Sequence, residues 1–303
     1  KTEIKHNINV FSSNQGGLLD VLSGNDNFIY FTYSHLHKKT KGFDNFKKSS
    51  STAIARGRLI KNEIKDLEIL LIGEPKLRTQ KHYGSRIMIK DNHIFASFGE
   101  RDMGMIAQDP GKHPGSIIRI NKDGSIPKDN PKYKGKLLWL PEIFQIGLRN
   151  PQGLGISPHD NKIYFTNHGP RGGDSIGIVK FGGNYGWKNI AWGGTEYSGR
   201  KIGNLALSNI YDEPLKVWVP SIGIGNFQFY NGSAFKSWNG DILVTATKTK
   251  MLIRLAIKEN QIISEEIILK DKIGRIRDLE VDSQGNIYLI SDESRSGLWK
   301  MTK

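Results

Sequence analysis

Residues 161–166 read NKIYFT, and residues 175–180 read SIGIVK. Both are short apolar runs rich in β-branched and aromatic residues, bounded by Gly, Asn and Asp, which is the composition of strands. The first run ends in a small polar residue. The same pattern recurs as NFIYFT at 27–32, NHIFAS at 92–97, GDILVT at 240–245 and GNIYLIS at 285–291. A second apolar run follows each of these, at 54–60, 116–121, 251–257 and 297–301. No long stretch carries helical periodicity. Repeated β units separated by some tens of residues, with long loops at 34–51 and 197–213, predict an all-β chain. A β-propeller spanning residues 1–303 as one domain is the expected architecture; an irregular β-sandwich is the alternative. A propeller draws loops from several blades to one axial mouth, so distant segments can serve one site.

Working outward from the central strand pair, residues 147–188 read GLRNPQGLGISPHDNKIYFTNHGPRGGDSIGIVKFGGNYGWK. Three glycine-rich clusters lie here: Arg-Asn-Pro-Gln-Gly, His-Gly-Pro-Arg-Gly-Gly-Asp and Gly-Gly-Asn-Tyr-Gly-Trp. Glycine beside polar residues ordinarily makes turns. It also lets backbone amides and carbonyls approach a ligand closely. With Arg149, Asn150, Gln152, His168 and Asp174 in one window, the stretch reads as one wall of a small-molecule and metal site.

Composition narrows the function classes. The chain has no cysteine, which removes disulfides, thiolate metal sites and cysteine nucleophiles. Its formal net charge is +14 over 303 residues. The basic residues are scattered and no nucleic-acid motif accompanies them, so the charge reads as a solvated surface rather than a nucleic-acid interface. The densest run (Lys38, Lys39, Lys41, Lys47, Lys48) has the look of a solvated loop. A basic surface also suits an anionic cofactor or an acidic electron-transfer partner. No apolar stretch is long enough to span a membrane, and no signal peptide is present. The first residue is Lys1 rather than Met, as expected of a processed or trimmed start.

A set of short motifs in fixed order carries a family resemblance. These are Gln15-Gly-Gly-Leu-Leu-Asp20, Ala55-Arg-Gly-Arg-Leu59, Glu74-Pro-Lys76, His82-Tyr-Gly-Ser-Arg86 and Asn121-Lys-Asp-Gly-Ser125. The series continues with Arg149-Asn-Pro-Gln-Gly153, His168-Gly-Pro-Arg-Gly-Gly-Asp174, Asn184-Tyr-Gly-Trp187 and Arg275-Ile-Arg-Asp278. Together they cover nearly the whole chain. The chain resembles the soluble quinoprotein sugar dehydrogenases, the glucose/sorbosone dehydrogenase family that uses pyrroloquinoline quinone (PQQ), and within it the bacterial aldose sugar dehydrogenase branch. The resemblance implies a six-bladed propeller of four-stranded antiparallel blades, with part of the N-terminal blade absent from this chain. It also implies calcium as a second cofactor, an aldose substrate, a cytochrome or quinone as electron acceptor, and a periplasmic or otherwise exported location.

The resemblance assigns roles residue by residue. His82 is the expected general base, because imidazole titrates near neutrality. Glu100 stands where the family places an aspartate beside that histidine, and its role is to fix the tautomer. Arg149 is expected to stabilise negative charge on the reduced quinone, with Asn150 and Gln152 serving donor and acceptor atoms of the cofactor. Gly169 and Pro170 are the expected calcium ligands through backbone carbonyls, oxygens that hard calcium accepts. Lys248, Arg275 and Arg277 form the expected anion clamp for the PQQ carboxylates, since residues two apart on an extended backbone point to one side. Gln15 completes the rim. A second calcium near Asp174 and Tyr185 is disfavoured by Ser175, where an acidic residue is usual. The competing reading is a non-catalytic propeller that binds sugar or protein.

Overall fold

The computed structural model describes residues 2–37, 49–134, 137–203, 209–259 and 261–303. The lysine-rich run at 38–48 lies outside the described residues, as does part of the 197–213 loop. Two compact units are distinguished, one made of Lys1–Pro151 and Lys180–Lys188, the other of Gln152–Val179 and Asn189–Lys303.

The first sheet runs in the order of its strands, β1 (Leu18–Ser23), β2 (Ile29–Leu36), β3 (Ser50–Ile60) and β4 (Glu63–Ile72). The second contains β5 (Gly84–Lys90), β6 (His93–Phe98) and β7 (Ser116–Asn121). A minor hairpin of β8 (Tyr133–Lys134) and β9 (Leu137–Leu138) follows, and β10 (Ile143–Gln145) then completes the second sheet beside β7. The third sheet is β11 (Pro151–Ile156), β12 (Ile163–Asn167), β13 (Asp174–Ile178) and β14 (Lys216–Trp218). The fourth is β15 (Ile224–Phe229), β16 (Ile242–Ala246), β17 (Met251–Lys258) and β18 (Gln261–Lys270). The fifth has three strands, β19 (Ile276–Val281), β20 (Ile287–Ser291) and β21 (Leu298–Met301). The apolar pairs legible in the sequence are the second and third strands of each sheet. The first sheet in the chain has four strands; the three-stranded one is the last.

The middle strands read as continuous apolar runs because both of their faces are covered. In β16, every residue is buried. Ile242, Val244 and Ala246 pack in one cluster with Tyr164, Ile176 and Ile253, whereas Leu243 packs with Leu252, Leu279 and Ile287. That is the two-residue alternation of a strand, with an apolar cluster on each side. In the other unit, Tyr30, Ile54, Ile94, Ile118 and Ile120 form an equivalent cluster.

In three of the five repeats the small polar residue at the end has a bridging task. Ser97 Oγ donates to the carbonyl of Pro151 at 3.4 Å, Thr166 Oγ1 to that of Gly225 at 2.7 Å, and Thr245 Oγ1 to that of Arg277 at 3.1 Å. Each hydroxyl sits on the second strand of one sheet and reaches the start of the first strand of the next. All three hydroxyl residues are fully buried, so each hydroxyl finds its partner in the protein. Gly225 must be glycine, because a Cβ there would lie 2.5 Å from Thr245 Oγ1. The first strands are also irregular where they begin. Register shifts interrupt β1 between Leu18 and Asp20, β5 between Gly84 and Ile87, β15 between Ile224 and Phe227, and β19 between Ile276 and Asp278. Such bulges re-aim side chains at strand ends, and the expected site residues cluster around these starts.

Candidate active site

The first group of site residues lies in the unit formed by Lys1–Pro151 and Lys180–Lys188. His82 precedes β5 with φ +51, in the left-handed region that few non-glycine residues enter. Its backbone is held on both sides. The N–H donates to Gln15 Oε1 at 2.7 Å, and the carbonyl accepts the Arg101 N–H at 3.2 Å. Gly99 packs against that carbonyl so closely that a Cβ there would lie 2.2 Å from its oxygen.

His82 is 6% exposed, and Glu100 is 1% exposed. His82 Nδ1 lies 2.5 Å from Glu100 Oε1, and the second carboxylate oxygen accepts the Gly104 N–H at 2.5 Å. Against an ionised carboxylate, which only accepts, Nδ1 is the donor, and the neutral form of the ring then has its lone pair at Nε2. Nε2 makes no hydrogen bond among the described residues. Asp102 Oδ1 stands 3.9 Å from Nδ1, and Lys81 pairs with the same carboxylate at 3.0 Å. Ligand atoms of His82, Glu100 and Asp102 lie within 4.8 Å of one another, a spacing that a divalent ion can also bridge.

Arg149 and Asn150 belong to the same group. The Arg149 carbonyl accepts the Glu100 N–H at 2.8 Å, and Asn150 Oδ1 accepts the Gly84 N–H at 3.0 Å. The two residues therefore brace the segments that carry the His82–Glu100 pair. The buried Arg149 guanidinium lies 5.5 Å from the centroid of the Trp187 ring, whose Nε1 is a buried donor without a partner among the described residues.

The second group lies in the unit formed by Gln152–Val179 and Asn189–Lys303. Asp174 is fully buried and organises the loop before β13. Its Oδ1 accepts the Gly169 N–H at 2.7 Å, and its Oδ2 accepts those of Gly223 at 2.7 Å and Ile224 at 2.8 Å. A Cβ on Gly169 would meet Gly172, Gly173 and Asp174 backbone atoms at 2.5–2.7 Å. His168 Nδ1 lies 3.2 Å from the Ile224 carbonyl. The loop carrying the Gly169 and Pro170 carbonyls is thus pinned at both ends, and its oxygen donors suit a hard cation. Asp174, whose carboxylate is engaged by three amides, is a loop anchor.

Lys248 follows β16, and its Nζ donates to the Ser221 carbonyl at 3.2 Å. Arg277 lies at the β19 bulge and donates to Gln152 Oε1 at 3.3 Å and to Asp292 Oδ2 at 2.6 Å. Arg275 reaches the same Asp292 oxygen at 3.3 Å, while its N–H donates to Glu293 Oε1 at 3.0 Å. Burial pushes the Asp292 carboxyl up, but the Arg277 and Arg275 guanidinium groups outweigh it and hold its pKa below the usual carboxylate range. Arg277 Nε makes no hydrogen bond among the described residues. Arg277 and Gln152 are in contact, and Lys248 lies beside Ser221; a guanidinium and an ammonium are donors of the kind that carboxylates accept. Asp292, Arg101 and the Gln15–His82 contact were not singled out from sequence. Asp292 and Glu293 directly follow β20, and that acidic pair was the available signal for the counter-charge.

The model of the glucose/sorbosone dehydrogenase family matches residues 1–300. The aldose sugar dehydrogenase YliI of Escherichia coli is 33% identical over 304 residues, which cover 97% of this chain and 79% of that protein. A crystal structure of the soluble aldose sugar dehydrogenase from Escherichia coli in the apo form superposes with a TM-score of 0.88, covering 96% of this chain and 84% of the other at 33% identity. Quinoprotein glucose dehydrogenase B of Acinetobacter calcoaceticus is 33% identical over 142 residues, 40% of this chain and 28% of that protein. The PQQ-bound form of an aldose sugar dehydrogenase from Streptomyces coelicolor shares the fold at 18% identity, with a TM-score of 0.74 over 97% of this chain and 82% of the other. The fold is an all-β propeller, and the five sheets are consistent with six blades of which one is incomplete. No helix among the described residues is long and apolar enough to cross a membrane.

Proposed function

The chain belongs to the glucose/sorbosone dehydrogenase family, and from that premise we propose that it oxidises the anomeric carbon of an aldose to the lactone, using PQQ and calcium and passing electrons to an external acceptor. The observation that carries this reading is the buried His82–Glu100 pair, with Nε2 of the ring left without a partner among the described residues. A propeller that only binds sugar has no use for an imidazole held in one tautomer by a buried carboxylate.

When bound, PQQ would supply an ortho-quinone able to accept a hydride, and calcium would supply Lewis acidity. His82 does the proton work. Nε2 accepts the proton of the anomeric hydroxyl as C1 is oxidised, and Glu100 stabilises the imidazolium formed through its hydrogen bond to Nδ1–H. Gln15 and Arg101 hold the His82 backbone, so the ring meets the sugar without reorganising. Arg149, stacked over Trp187, offers positive charge for the reduced quinone. Lys248, Arg277 and Gln152, with Arg275 beside them, are donors for PQQ carboxylates. The Gly169 and Pro170 carbonyls are the calcium ligands. The same reading gives the protein a periplasmic location, where a cytochrome or quinone collects the electrons.

A single-turnover experiment tests this. Protein loaded with PQQ and calcium, mixed with aldose and no acceptor, should lose the oxidised-quinone absorbance and release one lactone per PQQ. An absorbance that sugar leaves unchanged, with PQQ bound, would refute the proposed reaction for the aldoses assayed.

A further inference from the structure

Arg101 stands between Glu100 and Asp102 and is fully buried. It makes no ion pair among the described residues. Its charge rests instead on neutral oxygens. Nε donates to the Lys81 carbonyl at 3.0 Å, Nη1 to the Ser50 carbonyl at 2.9 Å, and Nη2 to the Thr79 carbonyl at 2.6 Å and to Ser50 Oγ at 3.2 Å. The guanidinium carbon lies 3.7 Å from the centroid of the Tyr83 ring, and the Tyr83 hydroxyl meets Ser50 Oγ at 2.7 Å. Burial lowers the Arg101 pKa to about 10, so the group stays cationic at neutral pH.

A buried cation with no carboxylate carries a large desolvation penalty, and a merely structural position is better served by an apolar side chain. The distribution of its partners gives the reason it is here. Thr79 and Lys81 lie just before His82, Tyr83 just after, and Ser50 on β3. The Arg101 backbone N–H closes the set on the His82 carbonyl itself. His82, Arg101 and Asp102 all have positive φ, at +51, +58 and +60. Two left-handed segments, one carrying the imidazole and the other its carboxylate, are therefore tied together through a single residue.

We propose that Arg101 is the positioning residue of the proton-transfer site: its guanidinium fork locks the chain on both sides of His82 so that Nδ1 stays on Glu100 and Nε2 faces the substrate. The assignment of a base at Nε2 rests on the dehydrogenase reading above; the locking of the ring does not. Lysine cannot replace the fork, because one ammonium cannot reach four acceptors spread over two chain segments, residues 79–81 and Ser50.

The test uses Arg101→Lys and, because a buried substitution can unfold the chain, Ser50→Ala, which keeps the guanidinium and removes one acceptor. In protein without cofactor, the His82 Nδ1 proton should give a far-downfield proton NMR signal, identified by its loss in Glu100→Gln. That signal should vanish or broaden in Arg101→Lys and weaken in Ser50→Ala, while the circular dichroism of the folded state persists. In protein loaded with PQQ and calcium, kcat should fall about 100-fold in Arg101→Lys, the scale of an ångström of misplacement, with the sugar KM unchanged. An intact downfield signal with wild-type kcat in Arg101→Lys would overturn the proposal, as would an unaltered signal in Ser50→Ala should Arg101→Lys fail to fold. A wild-type protein with the downfield signal but no sugar oxidation would sink the dehydrogenase reading and leave the positioning role standing.

Discussion

At the scale of single residues, the site depends on groups that hold other groups. His82→Ala removes the proton acceptor but none of the donors assigned to PQQ carboxylates. Turnover should therefore be lost while PQQ still binds, as absorbance titration would record; a variant that keeps its turnover excludes His82 as the base. Asp174→Ala leaves three buried amides without their acceptor. Hydrogen bonds to a charged group are worth about 1.5–3 kcal/mol each, so a loss of about 3 kcal/mol or more is expected in urea unfolding. Asp292 titrates as the sign of its shift dictates. Its pKa is lower in the folded state than the ordinary value of about 3.9. Its contribution is fully present above that value and is lost as pH falls through the folded one. The difference in Tm between wild type and Asp292→Asn should accordingly be constant near neutrality and shrink in acid. Most of the residues named from sequence are held as pairs or anchors, which a motif reports as a position but not as a contact. The partners lie far away in the chain, as Gln15 does from His82, and only folding brings them together.

At the scale of elements, the apolar runs were legible because the second and third strands are covered on both faces. The first and fourth strands were not, for two physical reasons. First strands start in bulges and carry polar residues such as Asp20, Asn226 and Asp278. Outer strands such as β18 face solvent along much of their length, with a burial pattern that shows no clean alternation. Ser97, Thr166 and Thr245 are visible as repeat ends, but their bridging bonds require the next sheet. Thr166→Val and Thr245→Val should each cost about 1–3 kcal/mol, the penalty of a buried carbonyl left unpaired. Calorimetry would check this, and stability equal to wild type would mean that the bridge is dispensable.

At the scale of the whole molecule, the ordered motifs carried the family and the propeller, whereas composition alone gave neither. The net charge of +14 reads as a solvated surface, and beside the two clamp arginines it is partly compensated, since Asp292 pairs with both Arg275 and Arg277. Replacing both arginines by alanine should weaken PQQ binding by at least 10-fold, about 1.4 kcal/mol, and should leave Asp292 without a counter-charge. The central claim is that this chain is a PQQ- and calcium-dependent sugar dehydrogenase. The most direct measurement is the rate of dye reduction by the purified chain with aldose, PQQ and calcium, each omitted in turn. The account predicts reduction only when all three are present. Reduction that persists without PQQ, or none with all three although PQQ is bound, would contradict it.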